Sequence, residues 1–160
     1  MIRNCLISDA QAICDIYNHY IQNTVITFEE SPLVTKDIAE RIKTVTEKYP
    51  WLVYDINGEI MGYAYAGEFK SRCAYRYTLE TSVYLSSEHT SKGIGTELYK
   101  ALIDKCRQIG IHSLIGIIAV PNKQSITLHR KFGFNFIGRL NETGYKFNKW
   151  IDVEYWQLML

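Results

Sequence analysis

An α/β fold with a mixed, mostly antiparallel central sheet flanked by helices is the architecture this sequence predicts, and three observations carry it. Asn57-Gly58 stands between two strand-like runs, Trp51 to Ile56 and Glu59 to Ala66, and Asn-Gly suits the type I′ turn of a β-hairpin. Further on, an alternating run over 76–85, a glycine-bearing turn, a helical period and the apolar run Leu114 to Val120 follow one another in the order of a βαβ unit. Finally, apolar residues recur at helical spacing in Ile13, Tyr17, Tyr20 and Ile21, in Ile38, Ile42 and Val45, and in Ile94, Leu98, Leu102, Cys106 and Ile109.

Taken in order, residues 2–7 read as a short strand, and Ser8-Asp9-Ala10-Gln11 supplies a capping box for a first helix over 9–22. The segment Asn23 to Pro32 has no helical period and holds Phe28, Glu29 and Glu30, which suits a loop that shapes a site. Thr35 is placed to cap a second helix that Tyr49-Pro50 stops. After the hairpin, the strand over 76–85 sets Tyr77, Leu79, Thr81, Val83 and Leu85 on one face and Thr78, Glu80, Ser82 and Tyr84 on the other, so Glu80 points away from the more apolar face. The helix that follows the glycines ends at Gly110. Leu114 to Val120 is apolar apart from Gly116, the pattern of a strand buried on both faces. Pro121-Asn122 then opens a short helix ending at Gly133. From Phe134 to Leu160 the chain is strand-like again, with Gly138 and Gly144 at turns and a tight corner at Asn141-Glu142-Thr143-Gly144.

The 160 residues, 47% hydrophobic and 22% charged, suit one sizeable core, so a single domain over 1–160 is expected. Eighteen basic against 17 acidic residues argue against a polyanion-binding surface, and no window reaches the roughly 18 apolar residues of a membrane span. Nucleic acid and membrane are therefore not expected partners, and a cytoplasmic location is. Cys5, Cys14, Cys73 and Cys106 form no Cys-x-x-Cys pair and the four histidines fall at none of the usual ligand spacings, which predicts free thiols and no metal. Cys73 has Arg72 and Arg76 as neighbours that could activate its thiol, but an ordinary loop cysteine is the reading the sequence favours.

The most informative stretch is His89-Thr90-Ser91-Lys92-Gly93-Ile94-Gly95-Thr96. A helix start leaves backbone N–H groups unpaired and carries partial positive charge, and glycines there let an anion approach closely. A tight strand-to-helix turn is the alternative reading. A dinucleotide fingerprint needs a third glycine where this chain has Leu98, and a Walker loop needs its lysine after the glycine, whereas Lys92 precedes Gly93. What the stretch resembles is the coenzyme A pyrophosphate loop of the Gcn5-related N-acetyltransferases (GNAT), with Thr90 where that family usually has glutamine or arginine.

Nearly the whole chain is similar to the phosphinothricin/methionine sulfoximine N-acetyltransferase branch of that family. The motifs are Tyr49-Pro50-Trp51-Leu52-Val53, Ala64-Tyr65-Ala66-Gly67, Lys70 with Arg72 and Tyr75, and Glu80-Thr81-Ser82-Val83-Tyr84. Beyond the glycine loop they continue in Pro121-Asn122, Leu128-His129, and a tail from Gly144-Tyr145-Lys146 through Trp150, Asp152-Val153 and Trp156-Gln157-Leu158. The resemblance implies a GNAT-type domain, acetyl-CoA as cosubstrate, a small amino-acid-like amine as acceptor, and a homodimer. It implies Glu80 as the base that frees the amine, directly or through a water, and His129 as a second catalytic residue beside the sulfur. It also implies coenzyme contacts from Val83, Tyr84, Leu85, the loop Thr90, Ser91, Lys92, Gly93, Ile94, Gly95 and Thr96, and from Asn122 and Ser125, with a backbone N–H near Tyr84 or Leu85 meeting the oxyanion. Phe28, Lys70, Arg72 and Tyr75 are the expected substrate-binding residues.

Each role has a plainer alternative. Glu80 could be a solvated or ion-paired glutamate, His129 could fill space near Phe132, and Lys70 and Arg72 could be solvated loop charges. A non-catalytic acetyl-CoA sensor would keep the glycine loop and lose Glu80 or His129, whereas both are present. An interaction module would account for 12 tyrosines and 3 tryptophans but not for the loop. Polyamine, aminoglycoside and protein-lysine acetylation are the rivals within the enzyme class.

Overall fold

The hairpin around Asn57-Gly58 forms as expected, and the sheet grows outward from it. A computed structural model describes residues 1–89 and 93–160. In chain order the strands are β1 (Ile2–Asn4), β2 (Trp51–Ile56), β3 (Glu59–Glu68), β4 (Thr78–Leu85), β5 (Ser113–Val120), β6 (Asn135–Lys146) and β7 (Lys149–Met159). The helices are α1 (Ala10–Asn23), α2 (Thr35–Thr46), α3 (Ile94–Gln108) and α4 (Lys123–Lys131). The strands form a sheet in the order β1-β2-β3-β4-β5-β7-β6, antiparallel at every pairing except β4 with β5. This is the α/β fold with a mixed, mostly antiparallel sheet flanked by helices that the sequence predicts.

Alternation along the strands divides the core between the two faces. Leu52, Ala64, Ala66 and Leu79 pack with Leu98, Tyr99, Leu102 and Cys106 of α3, while Trp51, Val53 and Tyr63 pack with Ile13 and Ile21 of α1 and Ile38 and Ile42 of α2. Helix α3 buries Ile94, Leu98, Leu102 and Cys106 as the spacing predicted. Ile109 is half exposed because the helix has ended and Gly110 turns the chain through a positive φ.

The helix starts differ from expectation. The first strand stops at Asn4, and the carboxylate of Asp9, not Ser8, organises the chain into α1: it accepts the Leu6 N–H at 2.8 Å and two bonds from Arg3 at 2.7 and 2.8 Å. Arg3 also bonds Asp55, so one guanidinium ties β1 to the end of β2. At α2, Val34 precedes the first turn and Asp37 accepts its N–H at 3.1 Å, leaving the Thr35 hydroxyl to bond Gln11. The third strand of the meander starts at Thr78 rather than 76, because Cys73–Tyr75 form a 3-10 turn.

The final hairpin is also shifted. Gly138 and Gly144 lie inside β6, at irregularities in its register with β7, and the chain reverses at Phe147 and Asn148, both in the left-handed region. The corner expected at Asn141 to Gly144 is a bulge with Glu142 at φ 51°. All four cysteines are free, with Cys5, Cys14 and Cys106 buried and Cys73 exposed. No helix among the described residues is long and apolar enough to cross a membrane, and no cluster of metal-ligating side chains occurs among them.

Burial pushes the Asp9 carboxyl up, but the Arg3 guanidinium and the Leu6 N–H outweigh it and hold the group below its ordinary value of 3.8. Asp9→Asn should therefore cost about 2 kcal/mol, as expected for a partly buried charge-assisted bond. Chemical denaturation across pH checks the sign. The wild type's advantage should be complete above the unfolded aspartate pKa and should vanish as pH falls through the depressed native one.

Candidate active site

Strands β4 and β5 pair only over Thr78–Glu80 with Ser113–Ile115 and then part. The parting exposes backbone as well as side chains. Ser86 N–H donates to Met61 O, so the alternation of an antiparallel ladder commits Tyr84 to Tyr63 of β3 and turns the N–H and C=O of Val83 and Leu85 towards the split.

The split opens into a cleft of about 510 Å³ lined by Val83 and Leu85, by Gly93, Gly95 and Thr96 at the start of α3, and by Asn122 and Ser125 at the start of α4. Gly93 lies immediately before the first turn of α3 with φ 82°, a conformation that side chains rarely tolerate. A Cβ on Gly95 would stand 3.4 Å from the Leu85 side chain. Ile94 sends its side chain into the core, so its contribution to the cleft is backbone. Thr90, Ser91 and Lys92 lie outside the described residues.

Asn122 caps α4, its side-chain oxygen accepting the Ser125 N–H at 3.1 Å. On the opposite wall the Tyr20 hydroxyl accepts the Leu85 N–H at 3.3 Å and donates to Leu85 O at 2.8 Å. Tyr20 appeared in the sequence only as part of a helical stripe. Nothing local marked it as a partner for backbone 65 residues away.

A smaller space of about 60 Å³ shares Val83, Asn122 and Ser125 with the cleft and is lined by Thr81 and His129. His129 is buried, at 4% exposure, and both ring nitrogens are occupied. Nδ1 stands 2.8 Å from Ser125 O, and since a carbonyl only accepts, Nδ1 carries the proton. Nε2 is then the acceptor for the Tyr99 hydroxyl at 3.0 Å, and Tyr99 in turn lies 2.7 Å from the Thr81 hydroxyl. Burial lowers the His129 pKa against the raising effect of Ser125 O, so the imidazole is neutral at physiological pH. Gly116 of β5 makes room for the ring, because a Cβ there would overlap it. That is the physical reason for the one interruption in an otherwise apolar strand.

Beyond the small space, and sharing Ser82, Tyr84, Ile117 and Ala119 with it, lies a cavity of about 210 Å³ that contains Glu80. Its other walls come from Tyr17 on α1, Thr27 and Phe28 on the α1–α2 segment, Tyr65 on β3 and Val153 on β7. Glu80 is half-buried on the face opposite Leu79, and burial alone raises its carboxyl above the usual range. This is not the environment of a solvated or ion-paired surface glutamate. Phe28, 42% exposed, closes one side.

Lys70, Arg72 and Tyr75 are exposed on the β3–β4 connection and do not line this cavity. The Lys70 ammonium lies 5.3 Å and 5.6 Å from the ring centres of Phe69 and Tyr75. The connection nevertheless leaves the sheet at Glu80's end: Gly67 pairs with Glu80, and Thr78, where β4 begins, is two residues away, roughly 7 Å along a strand. The described structure thus brings together Glu80, His129, Phe28 and the cleft residues, and leaves the three basic and aromatic loop residues outside.

The chain matches the family described as "Acetyltransferase (GNAT) domain" over residues 2–155. It is 37% identical to a phosphinothricin N-acetyltransferase of Streptomyces viridochromogenes, covering 98% of this chain and 85% of that protein. It is 36% identical to an L-methionine sulfoximine/L-methionine sulfone acetyltransferase of Pseudomonas paraeruginosa, covering 99% of this chain and 94% of the relative. The crystal structure of a phosphinothricin acetyltransferase from Sinorhizobium meliloti in complex with acetyl-CoA superposes with a TM-score of 0.97 at 38% identity, over 100% of this chain and 88% of that one. With a family match along almost its whole length and relatives this similar, the chain belongs to the GNAT acetyltransferase family.

Proposed function

We propose that the protein transfers the acetyl group of acetyl-CoA to the α-amino group of a small amino-acid-like acceptor, of the phosphinothricin, methionine sulfoximine or methionine sulfone type, by direct attack of the amine on the thioester. The observation that carries this reading is the placement of Glu80: a half-buried carboxylate with no ion-pair partner among the described residues, in its own cavity, joined by shared walls to a cleft that starts at a glycine-bearing helix terminus. The coenzyme's phosphates would meet the N–H groups of the first turn of α3, and its pantetheine arm the backbone of Val83 and Leu85.

An α-amino group with a pKa of about 8 is mostly protonated at neutral pH, so a base must take its proton as the amine attacks. Glu80 fills that role directly or through a water. The Leu85 N–H faces the split and would meet the oxyanion by giving up its 3.3 Å bond to the Tyr20 hydroxyl, whereas the Tyr84 N–H belongs to the β3–β4 ladder. Collapse of the tetrahedral species expels the coenzyme thiolate. With a pKa of about 8.5 this group is basic enough to take a proton from water or from the carboxyl that Glu80 has become. His129 enters this reading as a neutral ring that, with Tyr99 and Thr81, shapes the sulfur end of the cleft. Its lowered pKa leaves the ring without a second proton to give, and both of its nitrogens are already occupied.

Two further elements support the reading. Arg72 on the β3–β4 connection, helped by Lys70 or Tyr75, would pair with the acceptor's acid group by an inward movement of that loop, a planar guanidinium holding two oxygens at once. A homodimer is supported by the apolar surface of β6, β7 and the turn joining them, where Phe136, Ile137, Leu140, Tyr145, Phe147 and Trp150 are all at least 46% exposed. The four free thiols fit a cytoplasmic location.

Gly95→Val should raise the acetyl-CoA dissociation constant roughly tenfold, the cost of about one hydrogen bond to a charged group, in a protein whose circular dichroism is unchanged. Calorimetric titration measures it, and unaltered affinity would remove the anion cradle. Glu80→Gln should lower turnover by about 10²-to-10⁴-fold with acetyl-CoA affinity intact. Because burial raises the Glu80 pKa, the wild-type rate should climb as pH passes above the ordinary glutamate value of 4.5. That limb should be missing from the Gln variant, and the deficit should narrow at high pH as free amine accumulates. For the acceptor, methionine sulfone should be acetylated with a kcat/KM at least about tenfold above that of its decarboxylated amine, and Arg72→Ala should raise the KM of the acid alone. Equal values for the two acceptors would point to polyamine-like substrates instead.

A further inference from the structure

Lys146, in the last position of β6, is 2% exposed, and no carboxylate lies within ion-pair distance of it among the described residues. Its ammonium instead donates to the carbonyl oxygen of Thr27 at 2.8 Å and lies 5.1 Å from the centre of the Phe147 ring. Glu29 and Glu30 act on it only from beyond ion-pair distance, a buried cation held so is costly, and where only space must be filled an apolar chain of the same length does so more cheaply. The use of an ammonium here therefore points to what it holds.

Thr27 belongs to the irregular segment between α1 and α2 and lines the Glu80 cavity together with its neighbours Ile26 and Phe28. The segment is tied from several sides. The Thr27 hydroxyl lies 2.8 Å from the Tyr17 hydroxyl, which donates to Glu29 at 3.0 Å. Arg41 of α2 binds the Glu29 carboxylate at 2.6 and 3.2 Å, and Asn18 exchanges two bonds of 2.9 Å with the Leu33 backbone. These ties come from the α1–α2 side. Lys146 supplies the tie from the far edge of the sheet. Two residues before it, Gly144 is buried, and a Cβ there would overlap the Phe28 ring. The same stretch of β6 thus grips the backbone at 27 and leaves a seat for the side chain at 28.

We propose that Lys146 and Gly144 are positioning residues for acceptor selectivity: the Lys146 ammonium fixes the Thr27 carbonyl and Gly144 receives the Phe28 ring, which together set the wall of the cavity that Glu80 lines. The inference rests on that cavity being the acceptor site, as proposed above. Substrate is touched by Phe28, and Lys146 and Gly144 act through it.

The test compares Lys146→Met, Lys146→Arg and Gly144→Ala with the wild type in four measurements: hydrogen exchange of residues 24–34, melting temperature, acetyl-CoA affinity, and kcat and KM for amino-acid analogues of graded side-chain length. Lys146→Met should fold, since it removes a buried charge without removing volume. It should raise exchange in 24–34, raise acceptor KM about tenfold with acetyl-CoA affinity within about twofold, and alter the ranking of the analogues. Lys146→Arg should restore part of the loss. Gly144→Ala should alter the ranking with the Lys146 bond in place. Unchanged exchange in 24–34, or an equal fall for every analogue in step with melting temperature, would overturn the proposal and leave Lys146 structural. A wild-type protein that acetylates none of the analogues would defeat the parent reading, and the exchange measurement would still decide whether Lys146 holds the segment.

Discussion

The brevity of the β4–β5 pairing is the constraint on which the rest of the site depends. A parallel pair that continued for the full length of both strands would bury the backbone of Val83 and Leu85 in a ladder and leave neither cleft nor inner cavity. Instead β5 gives eight residues to β7 and only three to β4. Buried backbone groups need partners, so a split of this kind persists only where something else supplies them. The Tyr20 hydroxyl answers at Leu85, while the Thr81 hydroxyl, 3.3 Å from Ile115 O, gives its proton to Tyr99 at 2.7 Å. The N–H and C=O of Val83 have no partner among the described residues, and α3 begins at the mouth with its own unpaired donors.

The inner cavity works through a different balance. Its aromatic walls withdraw Glu80 from water, which raises the carboxyl pKa and makes the ionised form a stronger base, while reducing the fraction ionised at low pH. The same walls raise the pKa of Tyr65 and Tyr84 by burial and push Tyr17 up to about 12, so these phenols stay neutral and do not compete with Glu80 as anions. A neutral His129 completes an interior in which Glu80 is a carboxyl that burial holds above its usual range.

What the sequence disclosed follows the range of the interactions involved. The hairpin at Asn57-Gly58, the glycine-opened α3, the buried β5 and the face of β4 that carries Glu80 are all local patterns, and each was legible. Helix starts were less so: Asp9 and Asp37 each take a backbone N–H three residues earlier, and either geometry is open to several nearby polar residues. The last turn misled because Phe147 is a residue that rarely takes the left-handed region, so that Asn148 alone marked the pair, while Gly144, read as part of a turn, is small because Phe28 lies against it. Tyr20, Tyr99 and Lys146 were invisible as site residues, since their partners lie 65, 30 and 119 positions away.

That distribution has a consequence for how the two halves of the site can vary. Apart from Tyr20 and Ile26, the cleft at the start of α3 is built from a continuous stretch between Val83 and Lys131, so its shape follows from one βαβ unit and the helix after it. The Glu80 cavity takes residues from α1, the α1–α2 segment, β3, β4, β5 and β7, and its outer wall is held by a bond to the end of β6. A change at Phe28, Gly144 or Lys146 alters the Glu80 cavity and reaches the glycine-bearing cleft through Ile26, which lines both. With that cavity as the proposed acceptor site, differences in acceptor preference among proteins with this sheet are expected to concentrate at the α1–α2 segment and the β6 strand that grips it.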